Sequence, residues 1–545
     1  MPDILTCLKQ GAPHIYRFPW ANFTGLLQCR ARDEGDRVAL VFRDVDTDDR
    51  FSMTYRELEQ ETGRIAGTLH QRYGINPGDT VSLALPNCLE IPLITLALFR
   101  LGAISVPLDL KRDTPDRKRF KIEDSDSGLV CTLPDLVDGE RQILPNVEII
   151  STDDLRRDDD TEDPKLEPLW SGNPDLEQHT NVVLYTSGTT GTPKGACLSR
   201  QSLTSNADGI IRWLGFDETD RLSLVLPLHH VNSTVFSLTM LMVGGTLILN
   251  SRYSLHRFWP TVTKERVTAT SIVPTILHDL NGYKEVPLNG DLAHLRKIMI
   301  GSAPVPAGAA CRFVEKFQIP LVQGYGTTEV SLRVTGVPPG LEPSTYKRLL
   351  KENSIGRELS NCNLCIDGDP AEGKLGEILV RGPVVAGGYL NQEEATRESF
   401  TPEWFRTGDI GCWREIDGDR YYFIHGRAKE IIIKGGVNLS PIAIENALVE
   451  SVSEITAAYA VGTPSDRWGE DVCVAVVFTD GVSDASKVKL GHEIIARAKA
   501  GKISGLSAFD APSAMKPIEE DDLPKTSTGK VQRSRLKDLF LTEPS

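Results

Sequence analysis

The chain has 545 residues, 40% hydrophobic and 25% charged, which is too long for one compact core and excludes fibrous, low-complexity and fully disordered classes. A net charge of −15, from 60 Lys and Arg against 75 Asp and Glu, gives no general attraction for nucleic acid or anionic membrane, so a polyphosphate ligand must be held by local donors. Ten cysteines are too sparse for a disulfide scaffold, and Met1-Pro2-Asp3-Ile4-Leu5 is no signal peptide, so a reduced, cytoplasmic setting is expected.

Thr54-Tyr55-Arg56-Glu57 is a capping box, and Tyr55, Leu58, Thr62, Ile65, Ala66, Leu69 and Tyr73 follow at helical spacing until Gly74. Pro77-Gly78-Asp79 is a turn, and Thr80 to Leu85 reads as a buried strand. Ile91 to Leu110 is the most apolar stretch, but Arg100 and Asp109 cut it, which excludes an integral membrane segment there. Alternating helix and strand signals argue for an α/β fold. Residues 151–163 read as a solvated loop or insertion. Cys362 and Cys365, in Asn361-Cys362-Asn363-Leu364-Cys365-Ile366, read as strand residues and not as a metal or redox pair. Later segments turn to strands, Gly376–Gly382 and Arg420–Ile424. Gly426-Arg427-Ala428-Lys429-Glu430 interrupts them, and Ser440 with Pro441 opens a new helix. The domain boundary is placed here, giving 1–426 and 427–545.

Four segments carry candidate chemistry. In the first, the strand Val182–Tyr185 runs into Thr186-Ser187-Gly188-Thr189-Thr190-Gly191-Thr192-Pro193-Lys194-Gly195. Glycines let backbone N–H groups approach a ligand, hydroxyls add donors and Lys194 adds charge, a combination suited to phosphate oxygens. It is not a Walker loop, because Gly195 stands where that motif needs Ser or Thr. The second is Gln323-Gly324-Tyr325-Gly326-Thr327-Thr328-Glu329, which taken alone is equally a turn with a surface glutamate. The third pairs Phe405-Arg406-Thr407-Gly408-Asp409 with the segment at Gly426, and the fourth is Pro524-Lys525-Thr526-Ser527-Thr528-Gly529-Lys530. Alone, Asp409 is a turn residue and Lys530 part of a solvated tail.

Together, in this order, and with Pro86–Glu90 and Arg100–Leu108, these segments resemble the adenylate-forming enzyme superfamily over nearly the whole chain, and most of all its acyl-CoA synthetases. The resemblance implies a large N-terminal adenylation domain of stacked mixed sheets flanked by helices, a small β-barrel-like subdomain, and a smaller mobile α+β C-terminal domain. It implies ATP, Mg²⁺ and coenzyme A, and a small-molecule carboxylic acid as substrate. An acyl carrier protein is the alternative acceptor, and a non-catalytic nucleotide- or acyl-binding protein the alternative of another class. By the same resemblance Lys530, Glu329, Thr328 and His230 are catalytic, and Glu329 ligates the metal. Thr186, Ser187, Gly188, Thr189, Thr190, Gly191, Lys194, Ser302, Ala303, Gly324, Tyr325, Gly326, Asp409 and Arg427 bind ATP. Lys429 is the hinge, and Lys434, Gly435 and Gly436 line the coenzyme A tunnel.

In Pro227-Leu228-His229-His230-Val231-Asn232, His229 replaces a usual aromatic residue and Ser233 a usual glycine. No aspartate occurs between Pro227 and Phe236, which argues for an acid without an α-amine. Val231, Asn232, Val235, Ser302 and Thr335 are the acyl-pocket candidates.

Overall fold

A computed structural model describes residues 16–156, 179–186, 193–284, 292–303, 305–368, 371–479, 481–525 and 531–541. The capping box forms as read: Thr54 accepts from the Glu57 amide, Glu57 returns to Thr54, and the helix Tyr55–Tyr73 ends at Gly74 in the left-handed region. Its face Tyr55, Leu58, Ile65, Ala66 and Leu69 is buried. The apolar run after Glu90 divides into the helix Glu90–Leu101 and the strand Ile104–Pro107, turned at Gly102 with φ 67°.

Three sheets are formed among the described residues. The six-stranded sheet runs Glu148–Ser151, Leu129–Thr132, Thr80–Ala84, Ile104–Pro107, Thr180–Thr186, Lys194–Ser199, parallel except for its last pair. The thirteen-stranded sheet has a parallel centre that includes Ala269–Ile272, Lys297–Ile300 and Leu321–Tyr325. All residues of these three strands are buried, as a sheet covered on both faces requires. Its antiparallel end consists of Thr335–Gly336, Ser354–Glu358, Asp419–Arg427, Phe405–Ile416, Gly376–Arg381 and Asn363–Ile366. Cys365 lies in the last of these and Cys362 just before it, both buried and neither in a disulfide.

One apolar core joins the two large sheets through the helices Phe23–Glu34, Tyr55–Tyr73, Glu90–Leu101, Arg200–Leu214 and Val231–Val243. A second core lies under Leu255–Lys264, Pro274–Gly282 and Ala307–Phe317. The strand Asp419–Arg427 still belongs to the large sheet, whereas Ile432–Lys434 opens a separate five-stranded sheet with its own core. There Ser440 caps the helix Pro441–Ser451 by accepting from the Ala443 amide.

The stretch read as a solvated loop from residue 151 departs from that reading at its start. Ser151 ends a strand and, with Asp154, caps the 3-10 turn Thr152–Leu155, because Thr152 and Leu155 have core to bury against. Residues 157–163 of that stretch lie outside the described residues.

Candidate active site

The strand Leu321–Tyr325 is buried and delivers Tyr325 to the carboxyl end of the parallel run, where open α/β sheets place ligands. The chain then folds back. The Ser331 amide donates to Thr328 O at 3.0 Å, Leu332 to Thr327 O at 3.1 Å, and Val334 to Tyr325 O at 2.9 Å. Gly326 makes the turn possible, since a Cβ there would overlap the Leu332 carbonyl. Ser331 at φ 56° and Leu332 at φ 117° are non-glycine residues in left-handed space. Such strain persists only where surrounding structure imposes it, and it collects at functional sites.

The Tyr325 hydroxyl donates to Asp409 Oδ2 at 2.6 Å. Burial and then Asp409 raise its pKa far above the ordinary phenol range, so it stays a donor. Asp409 is buried, and Arg427 Nε meets its Oδ1 at 2.8 Å because the two stand opposite each other in the strand register. Burial works against the Arg427 charge, but Asp409, Tyr325 and Glu329 raise its pKa on balance. The Tyr389 hydroxyl donates to Glu329 Oε1 at 2.9 Å, and the Lys194 ammonium lies 4.9 Å from the centre of the Tyr389 ring, a cation–π contact. Tyr325, Asp409 and Arg427 are therefore one bonded group and Glu329, Tyr389 and Lys194 another, the two linked by the electrostatic attraction between Glu329 and Arg427.

Glu329 Oε2 has no protein partner among the described residues, and no group of three or more His, Cys, Asp or Glu suited to a metal is found there. A single carboxylate with hydroxyls nearby fits Mg²⁺, which takes one or two carboxylates and completes its shell with phosphate oxygens and water. Thr328 heads the adjacent 3-10 turn, and the Thr327 hydroxyl is buried without a partner. A flat aromatic ring, a buried carboxylate and a cation in sequence suit a base, a sugar and a phosphate chain.

His230 caps the helix Val231–Val243, its Nδ1 accepting from the Asn232 amide at 3.3 Å. Burial, then His229 and Arg333, push its pKa down to about 4, so the ring is neutral near pH 7. With Nδ1 accepting, the proton resides on Nε2, which is left as a donor. His229 Nε2 lies 3.5 Å from Asp109.

The acyl-pocket candidates divide. Val231, Asn232 and Val235 are packed, with Asn232 Nδ2 bound to Ser271 Oγ at 3.0 Å, and Thr335 donates to Ile355 O. Open space lies on the other face of the helix. There Ser233, Thr234, Ser237 and Leu238 meet Leu96 and Phe99 around an apolar cavity of about 790 Å³ counted to its mouth.

Among the other expected residues, Thr186 ends its strand with its hydroxyl on Lys194 O at 3.3 Å. Ser302, at φ 68°, and Ala303 follow the strand Lys297–Ile300. Gly324 lies inside its strand against Trp213. Lys429 occupies a turn in which the Glu430 and Ile431 amides both return to Arg427 O at 2.9 Å. Lys434 pairs with Asp471 at 2.8 Å, and Gly435 packs against Trp468 and Phe509, all in the C-terminal unit. Ser187, Gly188, Thr189, Thr190, Gly191 and Lys530 lie outside the described residues. Tyr389, bonded to Glu329, and Arg333, whose charge acts on His230, are two neighbours of the candidate residues that sequence reasoning missed. For Tyr389 a signal existed, an aromatic residue after two glycines in Gly387-Gly388-Tyr389.

Residues 27–390 match the family described as AMP-binding enzyme, and residues 443–530 match the AMP-binding enzyme C-terminal domain. A sulfoacetate–CoA ligase of Cupriavidus necator is 32% identical over 490 residues, covering 86% of this chain and 90% of that protein. An indoleacetate–CoA ligase of Aromatoleum aromaticum is 32% identical over 508 residues, covering 89% and 93%. The structure of O-succinylbenzoate coenzyme A synthetase from Bacillus subtilis, in complex with ATP and magnesium ion, superposes with a TM-score of 0.79 at 27% identity, covering 94% of this chain and 99% of that one.

Proposed function

The chain belongs to the AMP-binding enzyme family, and from that premise we propose how its own residues divide the work. The protein is an AMP-forming acid–coenzyme A ligase that uses ATP and Mg²⁺. A carboxylate is a poor acyl donor because oxide would have to leave. Attack on the α-phosphorus of ATP gives an acyl-adenylate and pyrophosphate, and the coenzyme A thiol then displaces AMP. Two anions must meet in the first step, so catalysis needs fixed positive charge and close placement.

The observation that carries the assignment is the joined cluster of Tyr325, Asp409, Arg427 and Glu329. Tyr325 offers its face to adenine. Asp409 takes the ribose hydroxyls as an ionised carboxylate acceptor, and Arg427 stands beside sugar and phosphate. Backbone at Ser302, Ala303, Gly324 and Gly326 shapes the nucleotide wall. Thr186, Lys194 and the loop Ser187–Gly191 hold the phosphates, with Thr328 at the α-phosphate. Glu329 would hold Mg²⁺, whose role when bound is to offset phosphate charge. His230 presents Nε2–H at the edge of the acyl site. Lys530 clamps carboxylate and α-phosphate oxygens. The chain then turns at Lys429 between units 1–426 and 427–545, withdrawing Lys530 and presenting Lys434–Gly436 to the pantetheine arm.

The acids named for the relatives run from sulfoacetate to indoleacetate, so the acid's class must be argued from this chain's residues. Free coenzyme A is the acceptor, with a carrier-protein phosphopantetheine as the competing one. The setting is read as cytoplasmic from the sparse cysteine content. No helix among the described residues is long and apolar enough to cross a membrane. Acid-dependent ATP–pyrophosphate exchange tests the first step. Thioester formation with free coenzyme A, compared with a holo carrier protein, tests the second. Exchange without any acid, or none with all acids, would overturn the reading.

A further inference from the structure

Arg333 is 1% exposed, yet among the described residues its guanidinium meets a backbone carbonyl and no carboxylate. Two other buried arginines have a carboxylate partner: Arg43 meets Asp48, and Arg100 meets Glu59 at 3.2 Å. Arg333 Nη1 donates to Gly324 O at 2.5 Å, and its Nε is buried without a partner. The backbone is fixed, since Asn206 accepts from the Arg333 amide at 3.2 Å and donates to its carbonyl at 2.7 Å. The guanidinium lies against Gly301, where a Cβ would collide with both terminal nitrogens.

These contacts place the charge beside the strand ends that lead into Ser302 and Tyr325. Gly301 directly precedes Ser302, Gly324 directly precedes Tyr325, and the field of Arg333 reaches His230. Further polar atoms lack partners on the same segments: Asn232 Oδ1 on the helix that His230 caps, and Ser331 Oγ on the strained fold-back. Burying an uncompensated guanidinium is costly, and a fold gains nothing from it unless an anion arrives. Burial pushes its pKa down to about 10, which still leaves a cation at neutral pH.

We propose that Arg333 is the receptor for a second anionic group on the substrate, so that the enzyme activates short acids carrying a further carboxylate or sulfonate. The inference rests on the ligase reading and names its substrate class. The guanidinium stands against Gly301, one residue before Ser302, which argues for a short spacing between the two anionic groups. The planar fork presents parallel donors to a carboxylate or sulfonate, a geometry an ammonium lacks.

The test is kcat/KM for pyrophosphate release on matched acids: propionate against malonate, butyrate against succinate, and 3-sulfopropionate as the sulfonate arm. Octanoate stands for a tail seated in the apolar cavity. The wild type should favour the doubly charged member of a pair by about 10²-fold or more, as sites built around a buried polar partner do. Arg333→Met should bring that ratio close to one, and Arg333→Lys should keep part of it. The sulfonate arm decides between the two anion types.

A wild-type preference for propionate, butyrate or octanoate would overturn the inference while leaving the ligase reading intact. So would an unchanged ratio in Arg333→Met, or equal loss on both members of each pair, which would assign Arg333 to the reacting carboxylate or to the scaffold. Where Arg333→Met does not fold, the wild-type ratio and Arg333→Lys decide. Silence with every acid removes the ligase reading, and this inference with it.

Discussion

Asp409 receives the Tyr325 hydroxyl on one oxygen and Arg427 on the other while almost wholly shielded from solvent. Asp409→Asn keeps the shape but removes the charge that Arg427 faces. The KM for ATP should rise at least 10-fold, and Tm should fall, because a half-buried guanidinium loses its counterion. An unchanged KM would detach Asp409 from the nucleotide. Tyr325→Phe deletes one donor and keeps the ring, so about 1 kcal/mol of stability should go while most nucleotide affinity survives. His230 gives a pH prediction. Its folded pKa of about 4 lies below the ordinary 6.5, so the unfolded chain takes up the proton first as pH falls. The stability held by the neutral ring is complete above about pH 6.5 and is lost progressively towards pH 4. Tm measured across that window should fall more steeply for wild type than for His230→Gln, and parallel curves would reject the assignment.

The fold-back from Gly326 to Arg333 is the element on which the site turns. Gly326→Ala forces a methyl into the Leu332 carbonyl, and backbone cannot give way as a side chain can. Strain of about 1–3 kcal/mol should displace Thr328 and Glu329, lowering exchange by roughly 10²-fold. A melting curve and an exchange assay on the same sample check this, and full activity would show the turn to be dispensable. The elements themselves were largely legible, because a capping box, a helical stripe and buried β-branched runs are local signals. Thr54 with Glu57, and Ser440 with Pro441, set helix starts where the sequence placed them. What escaped was pairing at a distance. Arg333 sits in Leu332-Arg333-Val334-Thr335, an alternation that usually turns its charge to water, and nothing local says that the carboxyl end of a sheet will enclose it. Tyr389 is 60 residues from Glu329. Nothing local to residues 227–243 says which side of the helix meets open space, so Thr234 and Ser237 were not singled out beside Val231 and Val235.

At the scale of the whole molecule, the two units carry separate cores and separate sheets, joined through the turn that holds Lys429. Asp279, on a helix of the larger unit, is held above the usual carboxylate range by burial, and it also feels Glu520 and Lys525 of the smaller one. Glu520 and Lys525, which precede the segment carrying Lys530, thus lie within electrostatic reach of Asp279. Lys530→Ala should depress adenylate formation by about 10²-fold or more while thiolysis of supplied acyl-adenylate continues. Lys429→Pro should leave pyrophosphate exchange and impair thioester release. Rapid-quench measurement of each half-reaction separates the two, and equal damage to both halves in either variant would end the two-posture account. Arg427 is the last residue of its strand and stands two positions before Lys429. The acid it grips is the one assigned to the sugar. The carboxylate proposed for the sugar and the proposed pivot are therefore tied together by one ion pair and a two-residue step of backbone.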